Sequence, residues 1–340
     1  MKALVVGAGL AGMTAAVLLK RSGHDVLVME KRKDIGGNCI DDLVDGVHVH
    51  RYGPHIFHTN DARVWKFVNE FTGFTDYQHR VMASIGHKLI SIPYSKRTAE
   101  ELGRDLSDGE IVDMLFRVYS ERMWGCGFSE IPAQITKRVN LRRSTSDTRY
   151  FMDKYQGMPS NGYNYMFNSM KYAFGPCIFT GCADTDWRGE SKNYDLVVYT
   201  GMLDEYFDCE HGQLPYRGVD LKFDYNQEHT DHAVINFCHS GAASRMTDYS
   251  CFYGYPKDVK STYCTEYPMA WYPSCDMVPS YPMVGFPHAE EIMVKYKGMK
   301  THENVVFCGR LAAYKYMNMD AVIADTMHRL EERLGTSLYS

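Results

Sequence analysis

Three glycines near the start of the chain have the spacing of a turn that binds nucleotides. Gly7, Gly9 and Gly12 follow the short apolar run 3–6, and an Ala- and Leu-rich stretch continues to about residue 20. In a strand–turn–helix unit of this kind, the first glycine permits the tight turn and the second lets the backbone approach a pyrophosphate. The third packs the helix against the strand. The free N–H groups and the positive end of the helix dipole then face the phosphates, so these residues predict a phosphate-binding turn.

An acidic residue closes the same unit. Glu30 ends the second apolar run, 25–29, where a carboxylate accepts hydrogen bonds from the ribose hydroxyls of a dinucleotide. Lys31 and the pair Gly37-Asn38 follow, and this arrangement resembles the superfamily of FAD-dependent oxidases and mutases. The predicted cofactor is therefore FAD. Its expected contacts in this unit are Gly7, Gly9, Leu10, Gly12, Glu30, Lys31, Gly37 and Asn38.

Apolar periodicity outlines the elements that must position this turn. It predicts a strand over 47–50, a helix over 61–71 and a β-hairpin over 81–92. The capping box S-x-x-E that begins at Ser107 opens a helix to about residue 123. Later strands are predicted near 195–199, 220–225, 233–237, 260–265 and 304–308, with a last helix from about residue 320.

The order of these elements predicts the α/β fold class. We expect a doubly wound, FAD-binding Rossmann-like domain with inserted helical and antiparallel-sheet substrate-binding regions. An irregular, Arg-rich stretch over about 125–148 is expected to act as a mobile lid. The FAD-binding segments are predicted to be 1–80, 181–215 and 296–340, and the substrate-binding segments 81–180 and 216–295.

Composition argues against several classes of partner. The chain has 340 residues, a net charge of −5 and no basic run, which disfavours nucleic acid as a main partner. No apolar run is long enough to span a membrane. The ten Cys residues lack the paired spacing of a zinc site and suit a reducing compartment. The sequence therefore predicts a cytoplasmic protein without a bound metal.

Six motifs, in order along the chain, carry a more specific resemblance. They are H-I-F-H-T-N at 55–60, E-R-M-W-G at 121–125, K-R at 137–138, Y-Q-G at 155–157, A-V-I-N-F at 233–237 and G-R-L-A-A-Y-K-Y at 309–316. Together they resemble the UDP-galactopyranose mutase family, and the resemblance runs nearly from end to end. Members of that family interconvert UDP-galactopyranose and UDP-galactofuranose without net redox change.

The resemblance implies that the cofactor carries the covalent chemistry. Reduced FAD acts through N5 as a nucleophile at the anomeric carbon and displaces UDP. The resulting flavin N5–sugar adduct opens and recloses on another hydroxyl, and UDP returns. NAD(P)H or another reductant primes the flavin. The protein's expected contribution is positioning and electrostatic stabilisation.

Site residues follow from the matched motifs. Arg138 and Arg245 are implied to clamp the pyrophosphate, because fixed cations stabilise the charge that builds as UDP leaves. His58 is counted with them as catalytic, and it shares with His55 the loop expected to pass the flavin. The implied substrate-binding residues are Tyr119, Ser120, Trp124, Arg138, Tyr150, Asn236, Arg245, Tyr281 and Tyr316. The further residues implied at the flavin are His55, Ile56, Arg310, Met317, Asn318 and Met319.

The chain departs from the family pattern in two places. The stretch between Pro93 and Trp124 is shorter than in typical members, which leaves open the uridine contacts and whether the chain forms a dimer with an altered interface. Asn318 stands where the family has an aspartate beside the flavin, and Ala313 replaces a glutamate. UDP-arabinopyranose and UDP-N-acetylgalactosamine are therefore alternative substrates.

Two other classes of function remain open from the sequence. An FAD-dependent oxidoreductase with an amine-oxidase-like fold would share the first forty residues, but it would oxidise its substrate and would not need two arginines as an anion clamp. The non-enzymatic alternative is a flavoprotein that has lost activity and serves as a binding or scaffold subunit. It is motivated by the short middle segment and by Asn318.

Overall fold

The computed structural model describes residues 1–136, 141–175, 177–182, 186–239 and 241–339. Sixteen strands lie within these ranges. They are β1 Lys2–Val6, β2 Asp25–Glu30, β3 Asp41–Val44, β4 Val47–His50, β5 Phe57–Thr59, β6 Val81–Ile85, β7 Lys88–Ile92, β8 Tyr155–Gly157, β9 Ile178–Thr180, β10 Leu196–Tyr199, β11 Tyr216–Gln227, β12 Val234–Phe237, β13 Arg245–Asp248, β14 Ser261–Ala270, β15 Tyr281–Pro282 and β16 Val305–Phe307.

Thirteen α-helical segments lie within the same ranges. They are α1 Leu10–Arg21, α2 Ala62–Asn69, α3 Lys96–Leu102, α4 Asp108–Ile111, α5 Val118–Trp124, α6 Ala133–Thr136, α7 Gly162–Phe174, α8 Asp186–Glu190, α9 Leu203–Tyr206, α10 Ser250–Tyr253, α11 Pro287–Lys297, α12 Gly309–Ala312 and α13 Met319–Leu334. A π-helical stretch, Val112–Arg117, joins α4 to α5. Short 3₁₀ turns occupy Gly37–Cys39, Phe128–Glu130 and Ser191–Asn193.

A five-stranded parallel sheet forms the first layer, in the order β16-β10-β1-β2-β9. Its strands are apolar on both faces, as buried parallel strands are. Val5 and Val28 pack into the core that contains α1, whereas Leu4 and Val197 pack on the opposite face with Trp187 of α8. Covered on both sides, this sheet confirms the predicted doubly wound α/β fold.

A second sheet of seven strands carries the predicted antiparallel region, in the order β15-β11-β14-β13-β12-β6-β7. The predicted hairpin over 81–92 forms its β6–β7 edge, and β6 joins β12 in a parallel pair. Strand β9, at 178–180, lies within the predicted substrate-binding segment 81–180, but it belongs to the first sheet because it pairs with β2. The exact limits of the five predicted segments stay a prediction.

Local signals explain where several helices begin. Asp61 caps α2 by accepting hydrogen bonds from the N–H groups of Arg63 and Val64. Ser107 and Glu110 form the predicted capping box at α4. The predicted helix to about residue 123 is present, but the π-helical stretch interrupts its α-helical hydrogen bonds. Such π-bulges often occur at functional sites, and this one leads into α5, which carries three predicted substrate residues.

Candidate active site

A cavity of about 470 Å³ opens at the carboxyl ends of β1 and β10, where ligands bind in doubly wound sheets. Its wall brings together most of the predicted cofactor residues: Gly7, Gly9, Leu10, Glu30, Lys31, Gly37, Asn38, His55, Arg310 and Met319. The other four predicted cofactor residues, Gly12, Ile56, Met317 and Asn318, are not on this wall. Thr200 and Ser280 also line the cavity, and no sequence signal assigned them to it.

The glycines of the wall form a cradle that side chains would fill. Gly37 has a φ of +59°, and a Cβ there would lie 2.9 Å from the Cα of Gly9. Gly7 has a φ of +99°, which L-residues rarely adopt. Gly12 acts beneath the turn, because its Cβ would meet the carbonyl oxygen of Gly7 at 1.9 Å and Val5 at 3.3 Å. The backbone is therefore open where a pyrophosphate would approach.

The Glu30 carboxylate lies at the far wall of this cradle and is only 6% exposed. It accepts hydrogen bonds from the backbone N–H groups of Ala8, at 2.6 Å, and Arg32, at 2.8 Å. A carboxylate can accept about four hydrogen bonds, so two positions stay open for ribose hydroxyls. Glu30 thus ties the glycine turn to the segment after β2 and still has acceptor positions for a ligand.

Arg32 is a wall residue that the sequence did not assign to the site. Its Nη2 donates to Asn38 Oδ1 at 2.9 Å, and its guanidinium stacks 4.9 Å from the ring centre of Tyr52. Its Nη1 is buried and has no hydrogen-bond partner among the described residues. An unpartnered cationic N–H beside a glycine cradle suits a phosphate oxygen. A bound FAD would therefore fit these residues through its pyrophosphate.

Arg310 and the start of α13 form the opposite end of the cavity. Arg310 donates to the backbone carbonyls of Ser280, at 2.8 Å, and Met317, at 2.9 Å. Asn318 is the N-cap of α13, but its side chain makes no capping hydrogen bond. The first N–H groups of a sixteen-residue helix are therefore left uncapped beside Met319, which lines the cavity. This end favours negative charge, and its assignment to the pyrimidine ring of a reduced flavin stays a prediction.

A row of three polar residues crosses the second sheet. Asn236, Arg245 and Glu266 lie directly opposite one another on β12, β13 and β14, so their side chains share one face. Arg245 Nε donates to Glu266 Oε1 at 2.7 Å, and the Glu266 side chain is only 2% exposed. Asn236 is buried, and its Oδ1 lacks a hydrogen-bond partner among the described residues. The row thus holds a fixed cation beside an acceptor that is free to bind.

The positive charge of Arg245 acts on His55, a residue of the cofactor cavity wall. Burial opposes that charge, but the Glu266 carboxylate, with Tyr119 and Tyr150, raises the pKa of Arg245. The pKa of His55 is lowered to about 4, mainly by burial and to a smaller extent by the positive charges of Arg310 and Arg245. His55 therefore faces the cavity as a neutral ring near two cations.

Three predicted substrate aromatics form one cluster. The ring of Trp124 lies 5.2 Å from Tyr281 and 6.1 Å from Tyr316, and the two tyrosine rings are 6.0 Å apart. Trp124 and Tyr316 also line a second cavity of about 290 Å³, together with Gln134. The Tyr281 hydroxyl donates to the Met123 carbonyl at 2.7 Å. Its hydrogen is therefore engaged within the protein, and the O–H donation to a substrate predicted for Tyr281 would require that bond to break.

Two other predicted substrate residues, Tyr119 and Tyr150, lie near Arg245. Burial raises the pKa of Tyr119, and the charge of Arg245 partly offsets this effect. Ser120 follows Tyr119 on α5 and is half-buried. Tyr150 is 38% exposed, and its backbone carbonyl accepts a hydrogen bond from Arg142 at 3.1 Å. Arg138, the other half of the predicted clamp, lies outside the described residues.

His58, which does not line the cofactor cavity, is held by two neighbours. Its Nδ1 pairs with Asp153 Oδ2 at 2.8 Å, and its ring stacks on Phe151 at 3.7 Å with an interplanar angle of 12°. The sequence did not identify Asp153 as its partner. Among the described residues, no group of His, Cys, Asp and Glu is arranged to hold a metal ion, and no helix has the length and apolarity needed to cross a membrane.

Comparison with known proteins shows which family has this sequence and fold. Residues 114–316 match the family model for UDP-galactopyranose mutase, and residues 5–71 match that of an NAD(P)-binding Rossmann-like domain. A probable UDP-galactopyranose mutase of Klebsiella pneumoniae is 30% identical, with 98% of this chain and 94% of the relative aligned. A dTDP-fucopyranose mutase of Escherichia coli is also 30% identical, with 96% of each chain aligned.

Solved structures agree on the fold. The crystal structure of a reduced UDP-galactopyranose mutase matches with a TM-score of 0.75 at 15% identity, covering 98% of this chain and 94% of that one. A putrescine oxidase bound to putrescine matches with a TM-score of 0.59 at 11% identity, covering 98% and 99%. These neighbours and the Rossmann-like match agree on a dinucleotide-binding fold. With relatives aligned over nearly its whole length and a matching family model over residues 114–316, the chain belongs to the UDP-galactopyranose mutase family of isomerases.

Proposed function

We propose that this mutase interconverts UDP-galactopyranose and UDP-galactofuranose with reduced FAD in its cavity. The observation that carries the proposal is the row Asn236–Arg245–Glu266, which sets a fixed cation and a free acceptor on the sheet face near His55. The diphosphate of a nucleoside diphosphate sugar needs a cation such as Arg245 to bind its negative charge, whereas the substrate of a simple amine oxidase does not. The row therefore favours a nucleotide sugar over an amine.

The chain's own residues account for cofactor binding under this proposal. Gly7 and Gly9 would take the pyrophosphate together with Arg32, Glu30 would hold the ribose, and Arg310 would lie at the flavin end. When bound and reduced, FAD supplies N5 as the nucleophile for the anomeric carbon. The uncapped N-terminus of α13 would stabilise the negative charge of the reduced ring.

Arg245 would act on the leaving group. Its guanidinium is oriented by Glu266, so it requires little reorganisation as negative charge builds on the departing UDP. Arg138 would close onto the same diphosphate from the segment 125–148, which stays a proposal because Arg138 lies outside the described residues. The aromatic cluster of Trp124, Tyr281 and Tyr316 would form the wall against the sugar and nucleotide.

His58 is better explained as a support residue than as a participant in the reaction. Its Nδ1 is held by Asp153, and its ring is packed flat against Phe151, the neighbour of Tyr150 in the chain. A ring held on two sides by Asp153 and Phe151 is placed to fix the segment that presents Tyr150. We therefore infer that His58 orients Tyr150 in the substrate site.

The identity of the sugar has a second candidate. The relative named dTDP-fucopyranose mutase is as similar as the probable UDP-galactopyranose mutase, at 30% identity in each case. A deoxythymidine-diphosphate 6-deoxyhexose is therefore an alternative to UDP-galactose. UDP-arabinopyranose and UDP-N-acetylgalactosamine are further candidates from the sequence. The reductant, NAD(P)H or another donor, the possible dimer and the cytoplasmic location stay predictions.

A substrate panel tests the proposal. Protein reduced with dithionite would be incubated with UDP-galactose, dTDP-fucose, UDP-arabinose and UDP-N-acetylgalactosamine, and the products separated by chromatography. We expect furanose formation from UDP-galactose and little conversion by the oxidised protein. Faster conversion of another member of the panel would reassign the substrate. Conversion of none, by protein that retains flavin, would reject the proposed mutase reaction.

A further inference from the structure

A fully buried histidine lies beneath the loop that borders the cofactor cavity. His50 ends β4 and is 0% exposed. Its Nδ1 accepts a hydrogen bond from the backbone N–H of His55 at 2.9 Å. Because Nδ1 supplies a lone pair there, the hydrogen of the neutral ring must be on Nε2. This contact fixes one tautomer of His50 and ties it to a residue on the cavity wall.

The environment keeps His50 in that neutral form. Burial is the main cause that lowers its pKa to about 3, and His55 contributes further. Its ring packs against Tyr163 and Tyr249, each with centres 5.3 Å away. The Tyr249 hydroxyl also donates to the His50 backbone carbonyl at 3.0 Å. His50 is therefore held both by its ring and by its backbone.

His55 is held on its other sides as well. The Tyr163 hydroxyl donates to the His55 backbone carbonyl at 3.1 Å, so both polar groups that flank the His55 Cα have fixed partners. The His55 ring approaches the carbonyl of Gly53 with Nδ1 at 2.8 Å. Since a carbonyl only accepts, Nδ1 carries the hydrogen and Nε2 is left as an acceptor. Backbone and ring are thus oriented by three separate contacts.

We propose that His50 is a positioning residue for the mutase reaction, and that it holds the His55 peptide and ring at the cavity edge through its Nδ1. This inference rests on the proposed function. The loop needs such an anchor because residues 51–56 form no strand and turn at Gly53, whose φ is +90°. Displacement of a site group by about 1 Å can cost on the order of 100-fold in rate.

Two substitutions at one position separate anchoring from packing. His50→Asn supplies a side-chain carbonyl as acceptor near the place of Nδ1, whereas His50→Leu fills space without an acceptor. Leu330→Val is the matched control, because it removes one methylene from a fully buried site on α13. Turnover per bound flavin, KM for the nucleotide sugar, and the flavin midpoint potential without substrate would be measured for each variant.

We expect His50→Leu to bind flavin but to lose about 10- to 100-fold in kcat with KM changed less than about threefold. His50→Asn should recover most of the lost kcat, and Leu330→Val should match the parent protein. A His50→Leu enzyme with parental kcat and potential would overturn the inference. The same applies if Asn restores no more activity than Leu.

The potential separates this inference from the proposed function. Should the parent protein convert no nucleotide sugar, the proposed reaction fails, but the flavin potential still reports on the anchor. A potential displaced in His50→Leu and restored in His50→Asn would then support His50 as the group that positions His55 beside the flavin. Identical potentials in all variants would reject the anchoring role.

Discussion

Glu266 and Arg245 lie opposite each other on neighbouring strands, and their side chains meet through one hydrogen bond of 2.7 Å. Glu266 is 2% exposed and Arg245 is 29% exposed, so the carboxylate is buried and the guanidinium is the more accessible member of the pair. The pair therefore presents a single oriented cation rather than a neutral bridge shielded from ligands. Asn236, the next residue in the row, adds an unpartnered acceptor on the same face.

Loss of the Glu266 charge tests whether this orientation matters. Glu266→Gln keeps the size of the side chain but removes the ionic partner of Arg245. A hydrogen bond between charged groups contributes about 1.5–3 kcal/mol, so kcat/KM should fall about 10- to 100-fold with flavin still bound. Glu228→Gln, which loses an exposed ion pair with Lys260, is the control. Normal kinetics for Glu266→Gln would remove it from the site.

Flavin retention should depend on Glu30. Glu30→Ala removes the acceptor of two backbone N–H groups and the expected ribose contact, so the flavin dissociation constant should rise about 10- to 100-fold. Titration of the flavin-free protein with FAD, followed by fluorescence, measures this. Asp34→Asn, a nearby exposed carboxylate paired with Arg51, should leave affinity unchanged. Equal affinity in both variants would show that Glu30 does not bind the ribose.

Alanine substitutions at two glycines distinguish the effect of backbone strain from the effect of a side chain that fills the cradle. Both Gly37 and Gly46 have positive φ, but a Cβ at Gly46 meets nothing within 4 Å, whereas at Gly37 it lies 2.9 Å from Gly9. Gly46→Ala should therefore cost only about 1–2 kcal/mol of stability and keep its flavin. Gly37→Ala should lose flavin at a comparable melting temperature. Full flavin occupancy in Gly37→Ala would contradict the cradle.

Acid should destabilise the fold through buried histidines. Burial lowers the pKa values of His50 and His79 to about 3 and of His55 to about 4, below the ordinary value of 6.5. Between pH 6.5 and 4 the unfolded chain therefore binds more protons, so stability is present above that window and is lost as the pH falls through it.

The melting temperature should accordingly drop between pH 7 and pH 5, and less steeply in His79→Gln, which lacks one of these groups. Differential scanning calorimetry on both proteins measures the two slopes. A pH dependence that is the same in His79→Gln and in the parent protein would show that His79 contributes nothing to the acid sensitivity.

Local patterns made much of the fold predictable. The glycine spacing, the capping box at Ser107 and the apolar alternation of the strands each depend on neighbours in sequence, and each element formed where expected. Helix α7 had no such signal. In α7 the sequence is rich in Asn and Tyr and lacks a side-chain cap, so tertiary burial of Tyr163 and Phe167 selects the helix.

Parts of the site could not be predicted from the sequence because they depend on contacts between residues far apart in the chain. The Arg245–Glu266 pair depends on the register of two strands, which the sequence pattern did not define. Arg32 offered a usable signal, since it lies two residues after the predicted ribose ligand, but its unpartnered Nη1 is visible only in the fold. Asp153 reaches His58 across 95 residues and carried no local signal. Motif spacing alone could therefore predict the cofactor cradle more fully than the substrate face.

The central claim is a redox-neutral interconversion of the pyranose and furanose forms, and the ratio of product to reducing equivalents tests it most directly. Protein reduced once with a measured amount of dithionite, under anaerobic conditions, would receive a large excess of UDP-galactofuranose. We predict many molecules of UDP-galactopyranose per electron pair, with the flavin still reduced at the end. Product limited to about one molecule per electron pair, with the flavin oxidised, would contradict the mutase account and favour an oxidoreductase.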